Sequence, residues 1–197
     1  MQKQEYLSRH GQLRYARHGS LQIFSMERLN PIGNASRWIT VLPRLTGWPR
    51  TAVVLSGGEG IRLRPITADL PNGLVKVSGK PLLQWVVEWL KANKISNIVM
   101  GVAYLKEQII DFFGDGALFG VNIQYSVHSV PGGTGEGFRL AISRYVDDET
   151  FFALNGDQIT DLKLKSLLAK HRRSGALSTI AVVPPATPFR TSQSGPA

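Results

Sequence analysis

A glycine-rich stretch followed by an arginine is the part of this 197-residue sequence best suited to hold phosphate. Residues 56–62 read SGGEGIR and come directly after the apolar run 52–55 (AVVL), which predicts a buried strand. The three glycines lack the Cβ atoms that keep a ligand away from the backbone, so the amide N–H groups can turn toward an anion. Arg62 would add a fixed positive charge. A glycine cluster after a strand is often only a tight turn, so this pattern alone leaves both interpretations open.

A carboxylate stands at a comparable position later in the chain. Asp157 follows the predicted strand 151–154, with Asn155 and Gly156 between them. At the carboxyl end of a strand, an aspartate can hold a hard cation such as Mg²⁺ together with phosphate oxygens. The alternative is a turn or a helix cap. We predict the capping role for Asp161, which precedes the next helical pattern.

The sequence 51–88 carries a resemblance to a known family. Beyond the glycines and Arg62 it contains Pro65, Thr67, Pro71 and the turn Gly79-Lys80-Pro81 in fixed order. This string resembles the signature of the sugar-1-phosphate nucleotidylyltransferases, or NDP-sugar pyrophosphorylases. The resemblance implies transfer of a nucleotidyl group from a nucleoside triphosphate to a sugar 1-phosphate, giving an NDP-sugar and pyrophosphate. It also implies Mg²⁺ as the cofactor.

The resemblance assigns a role to each matching residue. Arg62 would be catalytic and would stabilise the departing pyrophosphate, and Asp157 would bind Mg²⁺. The nucleotide-binding residues would be Leu55, Gly57, Gly58, Gly60, Gly133 and Thr134.

A second glycine-rich segment, 131–137 (PGGTGEG), resembles the family's segment that lines the nucleobase and opens a helix. Close approach of the backbone to a flat base favours small side chains there. Residues 103–126 also resemble the family, above all its mannose-1-phosphate guanylyltransferase-like branch. His128 lies near this segment and could donate a hydrogen bond to it, although a solvent-facing loop histidine is the simpler interpretation.

Some residues depart from the family pattern. Ile61 stands where the family has threonine, and Asn72 stands where it places a phosphate-binding lysine. The resemblance runs from Thr51 to Phe189, and family members continue for about another hundred residues that carry the sugar contacts. The sequence therefore leaves two functions open. One is the family's transferase activity, and the other is nucleotide or partner binding by a truncated or degenerate relative without turnover.

Apolar periodicity supplies the elements that would position these residues. Strands are predicted at 52–55, 97–102, 121–127, 151–154 and 177–183, and helices at 81–91, 106–113, 135–146 and 162–173. Such alternation predicts a Rossmann-like α/β fold, with a mainly parallel sheet and helices on both faces. Ligands of these sheets bind beyond the carboxyl ends of the strands. A dinucleotide-binding dehydrogenase is disfavoured, because the acidic residue expected about twenty positions after the glycines is missing.

Composition limits the function classes further. The net charge is +9, but residues 1–50 contribute eight Lys/Arg and two Glu, so most of the excess lies in that segment. No basic and aromatic interleaving typical of nucleic-acid binding is present, and no apolar run has the length of a membrane span. The absence of cysteine excludes disulfides and thiolate chemistry and is compatible with a reducing compartment. We expect a cytoplasmic protein without nucleic-acid or membrane partners, for which a homo-oligomer remains open.

Three regions follow from these patterns. Residues 1–50 show no sustained periodicity and are predicted to be a disordered extension, although their arginine-rich composition is also typical of a transit peptide. Residues 51–189 form the predicted nucleotide-binding core. Residues 190–197 are a predicted disordered tail.

Overall fold

The computed structural model describes residues 21–25, 47–128 and 133–182, with backbone only for 21–25. The strands are β1 Leu21–Ser25, β2 Thr51–Leu55, β3 Lys76–Val77, β4 Lys80–Pro81, β5 Asn97–Val102, β6 Asn122–Val127, β7 Thr150–Asn155 and β8 Ser178–Ala181. The helices are α1 Leu82–Ala92, α2 Lys106–Phe113, α3 Gly133–Tyr145 and α4 Leu164–Ser174. Short 3₁₀ turns cover Ile61–Leu63, Asn72–Leu74 and Ala117–Phe119.

Six strands form one sheet in the order β6-β5-β2-β7-β1-β8. β6, β5, β2 and β7 run parallel, and β1 is antiparallel to both of its neighbours. The predicted α/β fold with a mainly parallel sheet is thus confirmed. The five predicted strands and four predicted helices are present, with ends shifted by up to two residues where the ends are described.

Two hydrophobic clusters fill the two faces of the sheet. One face packs against α1, α2 and α4 through alternate strand residues such as Val54, Met100 and Phe152. The opposite face packs against α3 through Val53 and Phe151. Because successive strand residues point to opposite faces, the continuous apolar runs that predicted buried strands are what a sheet covered on both sides requires.

The predicted disordered extension over residues 1–50 requires correction for the two pieces that the structure describes. Residues 21–25 form β1, which pairs with β7 on one side and with β8 on the other. Residues 47–50 also pack on the core, since the Trp48 indole donates to the Asn93 carbonyl at 3.1 Å and contacts the Phe152 ring. Local periodicity misses β1 because its pairing partners lie more than 120 residues away in the sequence. The predicted tail 190–197 lies outside the described residues.

Within the described parts of the chain, no helix has both the length and the apolar character that crossing a bilayer requires.

Candidate nucleotide-binding site

The predicted site residues meet at one edge of the sheet. β2 is an inner strand of the parallel part and pairs with β5 on one side and with β7 on the other. The carboxyl ends of these strands therefore place residues 56–62, which we call the phosphate loop, between the segments after β5 and β7. This is the edge at which α/β sheets bind ligands.

Backbone hydrogen bonds fix the start of the phosphate loop on both sides. The Ser56 N–H donates to the Gly101 carbonyl at 2.8 Å, and the Gly156 N–H donates to the Leu55 carbonyl at 2.7 Å. The Tyr104 N–H reaches the Gly57 carbonyl at 3.4 Å. The loop is therefore an extension of the sheet at its first residues and is held in place before any ligand binds.

Gly60 gives the loop its turn. Its backbone is left-handed, with φ of 62°, and the buried Thr67 hydroxyl donates to its carbonyl at 2.7 Å. A Cβ at this position would lie 2.9 Å from the Thr67 methyl carbon, so both conformation and space require glycine. Gly58 differs, because a Cβ there would meet nothing within 4 Å. Its backbone is open to an incoming phosphate.

Arg62 projects from the 3₁₀ turn after Gly60 and is exposed. It forms no hydrogen bond or ion pair with any residue that the structure describes. The neighbouring Arg64 differs, since its guanidinium pairs with the Glu59 carboxylate at 3.3 Å. The structure thus leaves the predicted catalytic arginine able to meet a negatively charged ligand.

Asp157 lies at the same edge, directly after β7, and its carboxylate is exposed. Gly156 holds this turn against the phosphate loop, since a Cβ on it would lie 3.3 Å from the Ser56 Cβ. Among the described residues, no three His, Asp or Glu side chains are grouped closely enough to form a metal centre. A single carboxylate still fits Mg²⁺, which uses one or two carboxylates plus phosphate oxygens and water.

The predicted capping role of Asp161 is wrong. Helix α4 starts at Leu164, the residue at its N-cap is Lys163, and no side chain caps it. The turn before it is closed by the Thr160 hydroxyl, which accepts from the Leu162 N–H at 3.1 Å. The helix starts two residues later than the leucine pattern indicates.

The predicted base-lining segment is described from Gly133 onward, and Pro131 and Gly132 lie outside the described residues. Helix α3 starts at Gly133, whose φ is 65°, two residues earlier than predicted. The first turn bears an ion pair between Glu136 and Arg139, with the Arg139 Nε 2.7 Å from the carboxylate. The hydrogen bond from Arg139 holds the pKa of Glu136 below its usual value.

Asn72, which replaces the family's lysine, lies close to the phosphate loop. It opens the 3₁₀ turn that includes Gly73, where a Cβ would lie only 2.6 Å from the Ser56 hydroxyl oxygen. The Asn72 Oδ1 is buried and has no hydrogen-bond partner among the described residues. The departure from the family pattern therefore falls beside the site.

His128 is the site residue that the sequence interpretation underrated. It follows β6 directly and is half-buried, with its Nε2 beside Gly57 of the phosphate loop and Gly137 of α3. The signal was its position immediately after a predicted strand, which places it at the same sheet edge as Asp157. The residue lies in the loop after β6, as the simpler interpretation predicts, but its ring packs between two segments and is only partly exposed.

Comparison with known proteins gives consistent results over the same part of the chain. The chain is 33% identical over 139 residues to a UTP–glucose-1-phosphate uridylyltransferase of Synechocystis sp.. It is 38% identical over 132 residues to a mannose-1-phosphate guanyltransferase of Gibberella zeae. Each alignment covers 66% of this chain and 36% of the relative, so the chain spans about a third of the length of these relatives.

Solved structures share the fold. The crystal structure of HddC from Yersinia pseudotuberculosis complexed with GMP-PN superposes with a TM-score of 0.56 at 27% identity. The superposition covers 62% of this chain and 54% of that one. The family model described as nucleotidyl transferase matches residues 51–190, which include the phosphate loop, Asp157 and the four helices α1 to α4 of the described residues. With this match over well more than half of its residues, the chain belongs to the nucleotidyl transferase family.

Proposed function

We propose that the protein transfers a nucleotidyl group from a nucleoside triphosphate to a sugar 1-phosphate, with release of pyrophosphate. The observation that carries this proposal is the exposed Arg62, which has no partner among the described residues, beside the exposed Gly58 at the edge of the sheet where Asp157 also lies. The relatives act with different bases and sugars, so the base and the sugar stay open.

In this reaction, a phosphate oxygen of the sugar 1-phosphate attacks the α-phosphorus of the triphosphate in line. The bond from that phosphorus to the oxygen bridging to the β-phosphorus breaks, and its electron pair leaves with pyrophosphate. Little covalent chemistry falls to the protein, which accelerates such transfers by positioning groups and stabilising charge.

Different residues would bind the phosphates, stabilise the leaving group and hold the metal ion. The N–H groups of the phosphate loop would bind phosphate oxygens, with Gly58 offering the most accessible backbone. Arg62 would stabilise the negative charge that accumulates on the departing pyrophosphate. Asp157 would hold Mg²⁺, which neutralises charge on phosphate oxygens when bound.

A second candidate function is nucleotide binding without turnover. Asn72 favours it, because an uncharged amide, whose buried oxygen has no partner among the described residues, stands where the family pattern has a cation. Both candidate functions include nucleotide binding, and they differ in whether the nucleotidyl group is then transferred.

The test separates the two. Calorimetric titration of GTP, UTP and dTTP with Mg²⁺ measures binding, and pyrophosphate release with glucose 1-phosphate or mannose 1-phosphate measures turnover. Binding accompanied by pyrophosphate release supports the transferase. Binding alone supports the non-catalytic candidate, and failure to bind any of these nucleotides contradicts both.

A further inference from the structure

Three glycines from three different elements surround one hollow at the carboxyl edge of the sheet. Gly57 belongs to the phosphate loop, Gly101 to β5 and Gly137 to α3. A Cβ on Gly57 would lie 3.0 Å from Nε2 of His128, and a Cβ on Gly137 would lie 3.1 Å from the same atom. A Cβ on Gly101 would lie 3.5 Å from Cε1 of His128. The imidazole ring therefore fills the hollow between the three elements.

The sheet fixes the position of this ring. The His128 N–H donates to the Val102 carbonyl at 3.1 Å, which extends the pairing of β6 with β5 by one residue. Its Nδ1 lies 3.4 Å from the Ser126 carbonyl oxygen. His128 is thus anchored to the sheet, whereas the phosphate loop and helix α3, against which its ring packs, lie outside the sheet.

We propose that His128 is a positioning residue that sets the separation between the phosphate loop and the first turns of α3. This inference rests on the proposed function, because the separation matters as the width of the nucleotide cleft. The role depends on the volume of the ring. Gly57 and Gly137 have no side chains that could maintain the spacing, and Leu55 and Ala103 are the other described side chains among the nearest atoms to these glycines.

The electrostatic surroundings of the ring are simple. Glu136, on α3, is a charged group that interacts with His128, and its pKa is lowered mainly by Arg139 and to a lesser degree by the histidine. Nε2 has no hydrogen-bond partner among the described residues.

The first test asks whether His128 acts through the volume of its ring or through a hydrogen bond. We expect His128→Ala to weaken binding of Mg²⁺–GTP or Mg²⁺–UTP about tenfold, the scale at which residues in contact are coupled. His128→Phe keeps a ring and should retain most of the affinity. Val127→Ala, at the neighbouring exposed position on β6, is the matched control and should bind like the wild type. If His128→Gln binds normally and His128→Phe binds as weakly as His128→Ala, the histidine acts through a polar contact and the inference is wrong.

The second test is a double-mutant cycle. In Gly137→Ala the new methyl group would lie 3.1–3.2 Å from the imidazole, so nucleotide affinity should fall. Alanine is a better helix former than glycine, so α3 itself should not be weakened. When the ring is also removed, in His128→Ala with Gly137→Ala, the methyl group has room and the combined loss should be smaller than the two single losses together. Strictly additive losses would overturn the inference.

Amide hydrogen exchange measured without nucleotide tests the positioning role of His128 separately from the proposed function. We expect His128→Ala to accelerate exchange in residues 57–60, because the loop loses the ring it packs against. If the wild type binds no nucleotide but the exchange accelerates, the proposed function fails and the positioning role stands. If nucleotide binds and neither affinity nor exchange changes in His128→Ala, the positioning role fails alone.

Discussion

Replacing Gly60 by alanine is the perturbation whose outcome the structure defines most fully. Gly60 has a φ of 62°, its carbonyl accepts from the Thr67 hydroxyl, and Thr67 has no solvent exposure. An alanine must either keep the left-handed backbone with its methyl group 2.9 Å from the Thr67 methyl carbon, or rotate away and break this hydrogen bond. Both routes cost free energy.

The magnitude follows from these two contributions. A left-handed conformation costs a non-glycine residue about 1–2 kcal/mol. Crowding a packed neighbour by one methyl group costs about 1–3 kcal/mol, and the buried Thr67 has little room to move. We expect Gly60→Ala to lower the free energy of unfolding by roughly 2–4 kcal/mol, which for a chain of this size corresponds to about 5–15 °C in Tm.

Gly58→Ala is the matched control, two residues away in the same loop. Its methyl group would meet nothing within 4 Å, and its φ is not in the left-handed region. We expect the stability to change by less than about 0.5 kcal/mol, as at an ordinary surface position. Urea denaturation with and without Mg²⁺–GTP measures both variants. Equal stability of Gly60→Ala and the wild type, or a marked loss in Gly58→Ala, would refute the reasoning.

The remaining predictions concern charge and pairing. Arg62→Ala should weaken triphosphate binding by about 1.5–3 kcal/mol, the contribution of a charged hydrogen bond, and leave the Tm unchanged because Arg62 is exposed. Asp157→Asn should abolish the Mg²⁺-dependent part of nucleotide affinity in titrations with and without Mg²⁺, without altering the Tm. Burial lowers the pKa of His171, whose Nδ1 lies 2.9 Å from the Thr179 hydroxyl, so the folded state disfavours its protonation. The free energy of unfolding should therefore decrease as the pH falls below about 6.5, and this decrease should be smaller in His171→Gln. Ile23→Pro should lower the Tm, because proline removes an N–H from a strand paired on both sides.

Most of the fold could be predicted because its signals are local. Strands β2, β5 and β7 contain short apolar runs, whereas β6 (NIQYSV) mixes buried and exposed residues, and glycine or a change of periodicity marks where most elements end. The run AVVL before the phosphate loop became β2, with five buried residues in a row. The position of the site then followed from the rule that parallel strands present their carboxyl ends at one edge.

The strand β1 could not be predicted in this way, because its support comes from distant residues. Leu21 pairs with Ala181, and Ser25 pairs with Thr150. The segment has only five residues, and an isolated stretch of that length has no strand preference strong enough to stand out among its polar neighbours. β1 lies in the sheet between β7 and β8. Those two strands are far away in the sequence, so the residues around position 21 do not predict this pairing.

The glycines of the site look alike in the sequence, but the structure separates them into two groups. Four of them, Gly57, Gly58, Gly60 and Gly133, share one predicted role in nucleotide binding. In the structure, Gly57 and Gly60 face protein atoms within 3.2 Å of a Cβ position, so they are glycine because the site is closely packed. A Cβ on Gly58 or Gly133 would meet no atom of the described residues within 4 Å, so packing does not explain these two glycines. An alanine at a packed position therefore reports on the assembly of the loop, and an alanine at Gly58 reports on the ligand.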